Sequence, residues 1–204
     1  MFVAYLGPKG SFTHHVALES FEDDELRPYD SITEVIKAYE SAQVDYAVIP
    51  VENSIEGSVH ETIDYLFHQA HFQAIAEVVY PIKQQLLAVR QDQAIEVIYS
   101  HPQALAQGKA YVQEHFPQAR LEMTTSTSYA ARYVSQHPEL PIAAIAPLEV
   151  KDEYSLEVVA SNIQEMDQNF TRFWILGQRP FEGSHSLKKA ACKDSLAITL
   201  PSNI

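Results

Sequence analysis

Asn169-Phe170-Thr171-Arg172-Phe173-Trp174-Ile175-Leu176 is an apolar run with a polar mouth. Its later residues read as a buried strand, and its first set a side-chain amide, a hydroxyl and a fixed cation where that strand begins. Arginine stays charged at any working pH and grips carboxylates with a planar fork. A threonine beside it can donate a hydrogen bond to a departing oxygen. A return of residues 171–177 to the N-terminal half of the chain makes two lobes joined by two crossings, with a cleft between them. Periodicity by itself does not show that return.

Working outward, the same chemistry recurs at four strand-to-helix junctions. Phe2-Val3-Ala4-Tyr5-Leu6 runs into Gly7-Pro8-Lys9-Gly10-Ser11, and Tyr46-Ala47-Val48-Ile49 into Pro50-Val51-Glu52-Asn53-Ser54. Val97-Ile98-Tyr99 runs into Ser100-His101-Pro102, and Leu121-Glu122-Met123 into Thr124-Thr125-Ser126-Thr127-Ser128. A helix start presents unpaired N–H groups and partial positive charge, so such a junction suits an anion. In open α/β sheets these junctions gather at the carboxyl ends of the strands, where ligands bind. Ser, Thr and Asn are also simply good N-caps, and for one junction alone that reading suffices. Four junctions together with the Thr-Arg pair favour a site for a small anion.

Strand-like runs at 2–6, 46–51, 72–79, 86–90, 95–99, 119–123, 142–146 and 171–177 alternate with helical patterns, as in α/β proteins with largely parallel sheets. Ser31-Ile32-Thr33-Glu34 and Ser58-Val59-His60-Glu61 have capping-box spacing. Pro102 suits the first turn of a helix that continues through Ala104, Leu105, Ala110 and Val112. The expected division is one main region at 1–178, with lobe one at about 1–78 plus 164–178 and lobe two at about 79–163. Residues 179–194 are polar and turn-rich, a linker. Residues 195–204 begin with another clean strand, Ser195-Leu196-Ala197-Ile198-Thr199-Leu200, and suggest a further domain or a strand that pairs with a partner.

The 204 residues carry a formal net charge of -13 and a single cysteine, Cys192. That charge argues against nucleic acid and against anionic membranes as partners. An anionic ligand therefore needs a local positive site inside a repelling global field. One cysteine excludes an internal disulfide and fits a reducing compartment, and no apolar stretch is long enough to cross a bilayer. No secretory pattern opens the chain, so the expected setting is cytoplasmic. His68 with His71, and His14 with His15, have no third ligand at useful spacing, so no metal site is expected.

Five of these segments, in this order, resemble prephenate dehydratases. They are Tyr5-Leu6-Gly7-Pro8-Lys9-Gly10-Ser11-Phe12, then Val48-Ile49-Pro50-Val51-Glu52-Asn53-Ser54-Ile55-Glu56-Gly57-Ser58-Val59, then Ser100-His101-Pro102-Gln103-Ala104-Leu105-Ala106-Gln107. Ser126-Thr127-Ser128 and Asn169-Phe170-Thr171-Arg172-Phe173 complete the set. The resemblance implies a two-lobed α/β fold like that of type II periplasmic binding proteins, with the active site in the inter-lobe cleft. It implies conversion of prephenate to phenylpyruvate, water and carbon dioxide on the way to phenylalanine, without a cofactor. It implies a homodimer or homotetramer, and inhibition by phenylalanine only where a full C-terminal ACT domain is present. Residues 195–204 then resemble the first strand of such a domain, cut short.

The resemblance makes Thr171 the catalytic donor to the leaving hydroxyl. Arg172 and the helix starts at Ser11, Asn53, Ser54, Ser126 and Thr127 would hold the substrate carboxylates, and Phe170 and Phe173 would exclude water. A regular strand would send Thr171 and Arg172 to opposite faces. Sharing one pocket requires an irregular backbone there. His101 suits either a proton donor or a structural cap on the helix that follows it. Glu52 and Glu56 are more simply bonded to backbone N–H groups, because an ionised carboxylate repels a dianion. The chain departs from the family at Gln84, where a histidine is common, at Gly108, where a cysteine is usual, and around Ala146-Pro147-Leu148-Glu149-Val150-Lys151. Two other readings fit the same residues: an arogenate dehydratase, and a non-catalytic small-anion-binding module of the same fold.

Overall fold

The computed structural model describes residues 1–69, 74–166 and 168–178, apart from the side chains of 66–69. The linker and strand expected at 179–204 lie outside the described residues, as do His71 and the side chain of His68. Two compact units emerge: one of Met1–Gly7, Thr13–Pro81 and the described residues from Phe170 on, the other of Pro8–Phe12 and Ile82–Asn169.

The first unit is built on β1 (Phe2–Leu6), α1 (Phe12–Ser20), β2 (Glu25–Tyr29), α2 (Ile32–Glu40), β3 (Tyr46–Asn53), β4 (Gly57–Ser58), α3 (His60–Gln69) and β5 (Ala74–Pro81). The second holds β6 (Gln85–Ala88), β7 (Val97–Ser100), α4 (Pro102–Gln107), α5 (Lys109–His115), β8 (Arg120–Met123), α6 (Thr127–Gln136), β9 (Ile142–Ala146), α7 (Val150–Glu153) and β10 (Glu157–Ala160). β11 (Phe170–Gly177) then belongs to the first. This is the expected α/β class in two units. The sheets are mixed, however, and not largely parallel. In the first the order is β2-β1-β3-β11-β5, with β4 beside β3, and β11 runs antiparallel to both its neighbours. In the second the order is β10-β6-β9-β7-β8, and β6 and β10 supply the antiparallel pairs.

Apolar alternation explains the packing. In the first unit Ala47, Ile49, Val51, Trp174 and Leu176 share one face of the sheet and bury against Ile32, Val35, Ile36 and Tyr39 of α2. Burying each large side chain of this kind is worth about 1.5–3 kcal/mol. In the second, Leu87, Ala144 and Ala146 pack under Ala130, Ala131 and Val134 of α6. Their strand neighbours Leu86, Ala143 and Ile145 pack on the other face with Ala104, Leu105 and Val112. Both faces of that sheet are covered, so its central strands are apolar throughout.

The caps follow their sequence only in part. Ser31 accepts from the Glu34 N–H at 3.2 Å, but the Glu34 carboxylate reaches Asp30 N at 3.1 Å and not the cap residue. The second expected box does not close. Ser58 lies in β4, and Glu61 accepts from Thr33 N at 2.8 Å, tying α3 to the first turn of α2.

One irregularity positions the site. The β3–β11 ladder pairs Phe173 with Pro50, then Arg172 with Glu52 and Thr171 with Asn53, so Val51 is an extra residue in β3. This is a β-bulge. Proline interrupts a central strand only where no ladder N–H is needed, as at a bulge, and Pro50 stands beside this one. The Val51 carbonyl accepts from Val59 N at 2.8 Å, and the Pro50 carbonyl from Thr62 Oγ1 at 2.6 Å.

Candidate active site

Thr171 lies at the start of β11, 9% exposed, directly across from Asn53. Asn53 Oδ1 accepts from the backbone N–H groups of Ile55 at 3.0 Å and Glu56 at 3.1 Å. Those two bonds fix which end of the amide is which. The other end, Nδ2, donates to Thr171 Oγ1 at 2.9 Å and to the Phe170 carbonyl at 3.3 Å. Ser54 fastens the same place: its N–H donates to the Phe170 carbonyl at 2.9 Å and its Oγ accepts from Phe170 N at 2.9 Å. Asn53 and Ser54, expected as substrate contacts, are thus joined to the strand that carries the threonine.

Arg172 takes the opposite side. It is half exposed, with Nε 3.5 Å from Glu52 Oε2 and Nη1 3.3 Å from Glu77 Oε2. The bulge lies one step further along the ladder and leaves the alternation between Thr171 and Arg172 intact. The cation expected to clamp a carboxylate of the substrate therefore already faces two carboxylates of the protein. Glu52 pairs with Arg172, where a backbone partner was expected. Glu77 carries no motif in the sequence, and only the pairing of β11 with β5 brings it near. Phe170 is exposed, whereas Phe173 is 2% exposed and belongs to the core. At that depth Phe173 supports the strand and does not itself wall off a ligand.

The remaining expected residues lie in the second unit. Ser126 caps α6, its Oγ accepting from Tyr129 N at 3.0 Å, and Thr127 is the first residue of that helix. Ser11 follows a turn closed by its N–H to the Pro8 carbonyl at 3.1 Å. The turn depends on Gly10, whose φ of +82° favours glycine and where a Cβ would stand 2.8 Å from Val150 Cγ1. Lys9 pairs with Glu153 at 3.0 Å. His101 caps α4, its Nδ1 accepting from Gln103 N at 3.3 Å. That bond places the proton of the neutral ring on Nε2. It is the structural one of the two roles considered for His101. Gly108 separates α4 from α5, and a Cβ there would lie 3.1 Å from the Cδ1 atoms of both Ile145 and Ile163. Among the described residues no helix is long and apolar enough to cross a membrane.

The prephenate dehydratase family model matches residues 3–181. The prephenate dehydratase of Lactococcus lactis subsp. lactis (strain IL1403) is 51% identical over 204 residues, covering 100% of this chain and 72% of its own length. The chain belongs to the prephenate dehydratase family. The prephenate dehydratase of Bacillus subtilis (strain 168) is 39% identical over 209 residues, covering 98% of this chain and 73% of the relative. Among solved structures, the prephenate dehydratase of Arthrobacter aurescens in complex with L-Phe has a TM-score of 0.78 at 29% identity, over 88% of this chain and 60% of that one. That of Staphylococcus aureus subsp. aureus Mu50 has a TM-score of 0.72 at 29% identity, over 88% and 68%. The chain is thus an enzyme of the lyase class. Prephenate dehydratase activity turns prephenate into phenylpyruvate, water and carbon dioxide, a step of phenylalanine biosynthesis.

Proposed function

We propose that this prephenate dehydratase works through Thr171 as a hydrogen-bond donor to the departing ring hydroxyl, with Asn53 setting the direction of that donor. In the reaction the bond from the ring to its carboxylate breaks, and its electron pair enters the ring. The carbon–oxygen bond on the far side of the ring breaks as the ring becomes aromatic. The oxygen leaves with that bond's electrons and takes one proton to become water. Prephenate dianion and a proton thus give phenylpyruvate anion, carbon dioxide and water. The ring itself supplies the thermodynamic drive, and the protein's task is to stabilise charge on the leaving oxygen. Donors aimed at developing charge are the usual largest contribution to such a step.

The supporting observation is the fixed amide of Asn53. An amide NH2 group donates and never accepts, so the hydrogen of the Thr171 hydroxyl is not spent on Asn53. A hydrogen bond received at Oγ1 also polarises the O–H and strengthens it as a donor. Threonine is too weak an acid to give its proton away outright, so it acts by hydrogen bonding and solvent supplies the proton of the product water.

The test is steady-state release of phenylpyruvate from prephenate, with arogenate assayed in parallel. Thr171→Ala should lower kcat by about 10²–10³-fold with KM changed little, and Thr171→Ser should keep most of the rate. A Thr171→Ala enzyme with near wild-type kcat sinks the role given to Thr171. A cytoplasmic setting and a homodimer or homotetramer belong to the same proposal. The single cysteine, which fits a reducing compartment, supports the first, and analytical ultracentrifugation tests the second.

A further inference from the structure

We propose that Thr62, on α3 and outside every segment read for the chemistry, is a positioning residue for the reaction. Its hydroxyl holds the β3 bulge, and the bulge decides what stands opposite Thr171. The proposal rests on the reading of Thr171 as the donor.

The register carries the argument. Phe173 pairs with Pro50, and Thr171 with Asn53. Continued without the extra Val51, the same ladder would set Val51 against Arg172 and Glu52 against Thr171. A carboxylate would then face the threonine, accept its hydrogen and turn the donor inward. The inserted residue also changes which side chains share a face. It leaves Val51 in the apolar core with Ala47 and Ile49, and brings Asn53 to the face of Thr171. One extra residue thus exchanges an acceptor for a donor at the site.

Something must keep the bulge from slipping back into regular pairing, because the slipped ladder would gain a regular pair. Beyond the bulge Asn53 and Ser54 bond to Phe170 and Thr171, and at the bulge itself two bonds arrive from the segment that follows β4. Val59 N donates to the carbonyl of Val51, the bulged residue itself. Thr62 Oγ1 donates to the carbonyl of Pro50, the residue just before it. Thr62 is 0% exposed. A buried hydroxyl without a partner is costly, so in this fold its bond to Pro50 is obligatory and fixes α3 against the bulge. Pro50 brings no N–H for a competing ladder bond.

The experiment compares Thr62→Val, which keeps the shape and removes the hydroxyl, with Thr62→Ser, which keeps the hydroxyl. Thr62→Val should lower kcat by about 10- to 100-fold, the scale of loss when a reacting group is displaced by an ångström. KM should change little and Thr62→Ser should restore the rate. Amide hydrogen exchange gives a readout independent of activity: Val59 N–H should lose protection in Thr62→Val and keep it in Thr62→Ser. A folded Thr62→Val with wild-type kcat, in an enzyme that Thr171→Ala inactivates, overturns the positioning role and spares Thr171. An active Thr171→Ala enzyme removes the reading beneath, while the exchange data still report on the bulge. Should Thr62→Val not fold, wild type alone decides. Val59 N–H exchanging as slowly as the β3–β11 amides supports a held bulge, and exchange at the rate of an exposed turn overturns it.

Discussion

Thr171 and Asn53 form a pair in which the chemistry of one side chain depends on the polarity of the other. Asn53→Asp tests that dependence with almost no change of shape. The aspartate keeps an oxygen for the N–H groups of Ile55 and Glu56, but the atom facing Thr171 Oγ1 becomes an acceptor. The hydroxyl hydrogen then turns towards the carboxylate. We expect kcat to fall by at least about 100-fold, the loss of a whole oriented donor, in a protein whose circular dichroism is unchanged. Retention of more than half the rate would show that the direction of the Thr171 hydroxyl does not matter. At this scale the sequence was legible where a residue's place follows from the pattern around it. A hydroxyl before an apolar strand is such a case. Arg172 was not, since its two glutamate partners are set by strand pairing. Thr62 carried no signal at all, because a threonine in the first turns of a helix is ordinary.

Between elements, Tyr65 on α3 donates to Glu40 Oε2 at the end of α2 at 2.7 Å. Burial, and then this bond, push the tyrosine from its ordinary 10.0 up to about 12. A value raised in the folded state means that this contribution to stability is complete below the unfolded value of 10.0. It is lost as pH climbs towards about 12. Tyr65→Phe should therefore cost about 1–1.5 kcal/mol near neutral pH, with the deficit shrinking above about pH 10 as the wild type loses what the variant never had. Urea midpoints near pH 8 and pH 11 measure it, and a deficit independent of pH refutes the account. Strands with strong alternation or apolar runs were legible, and Ile142–Ala146 matches residue for residue. β2 was not, for Glu25-Leu26-Arg27-Pro28-Tyr29 has little apolar content and a proline tolerated only because the strand is an edge. The Ser58 box failed because Thr33 competed successfully for the Glu61 carboxylate.

For the whole molecule, a net charge of -13 opposes the approach of a dianion. Raising ionic strength from about 0.01 to 0.15 M shortens the screening length from about 30 to 8 Å. KM for prephenate should then fall by a factor of about 2–10, with kcat unmoved. A KM that rises with salt would mean that a local positive field outweighs the global one. The two-unit class was legible from the alternation of elements, but the place of β11 was not. Nothing in its periodicity says that residues 170–177 insert between β3 and β5, since that choice depends on edges built far earlier in the chain. The same insertion has a consequence for synthesis. Asn53 leaves the ribosome 118 residues ahead of Thr171, a delay of roughly 6–24 s at 5–20 residues per second. Until then β3 and β5 each have an open edge where β11 will lie, the kind of surface that holding chaperones cover. A nascent chain in that interval has the Asn53 amide and no Thr171 hydroxyl to direct, so under the role proposed for Thr171 catalysis waits for the translation of β11.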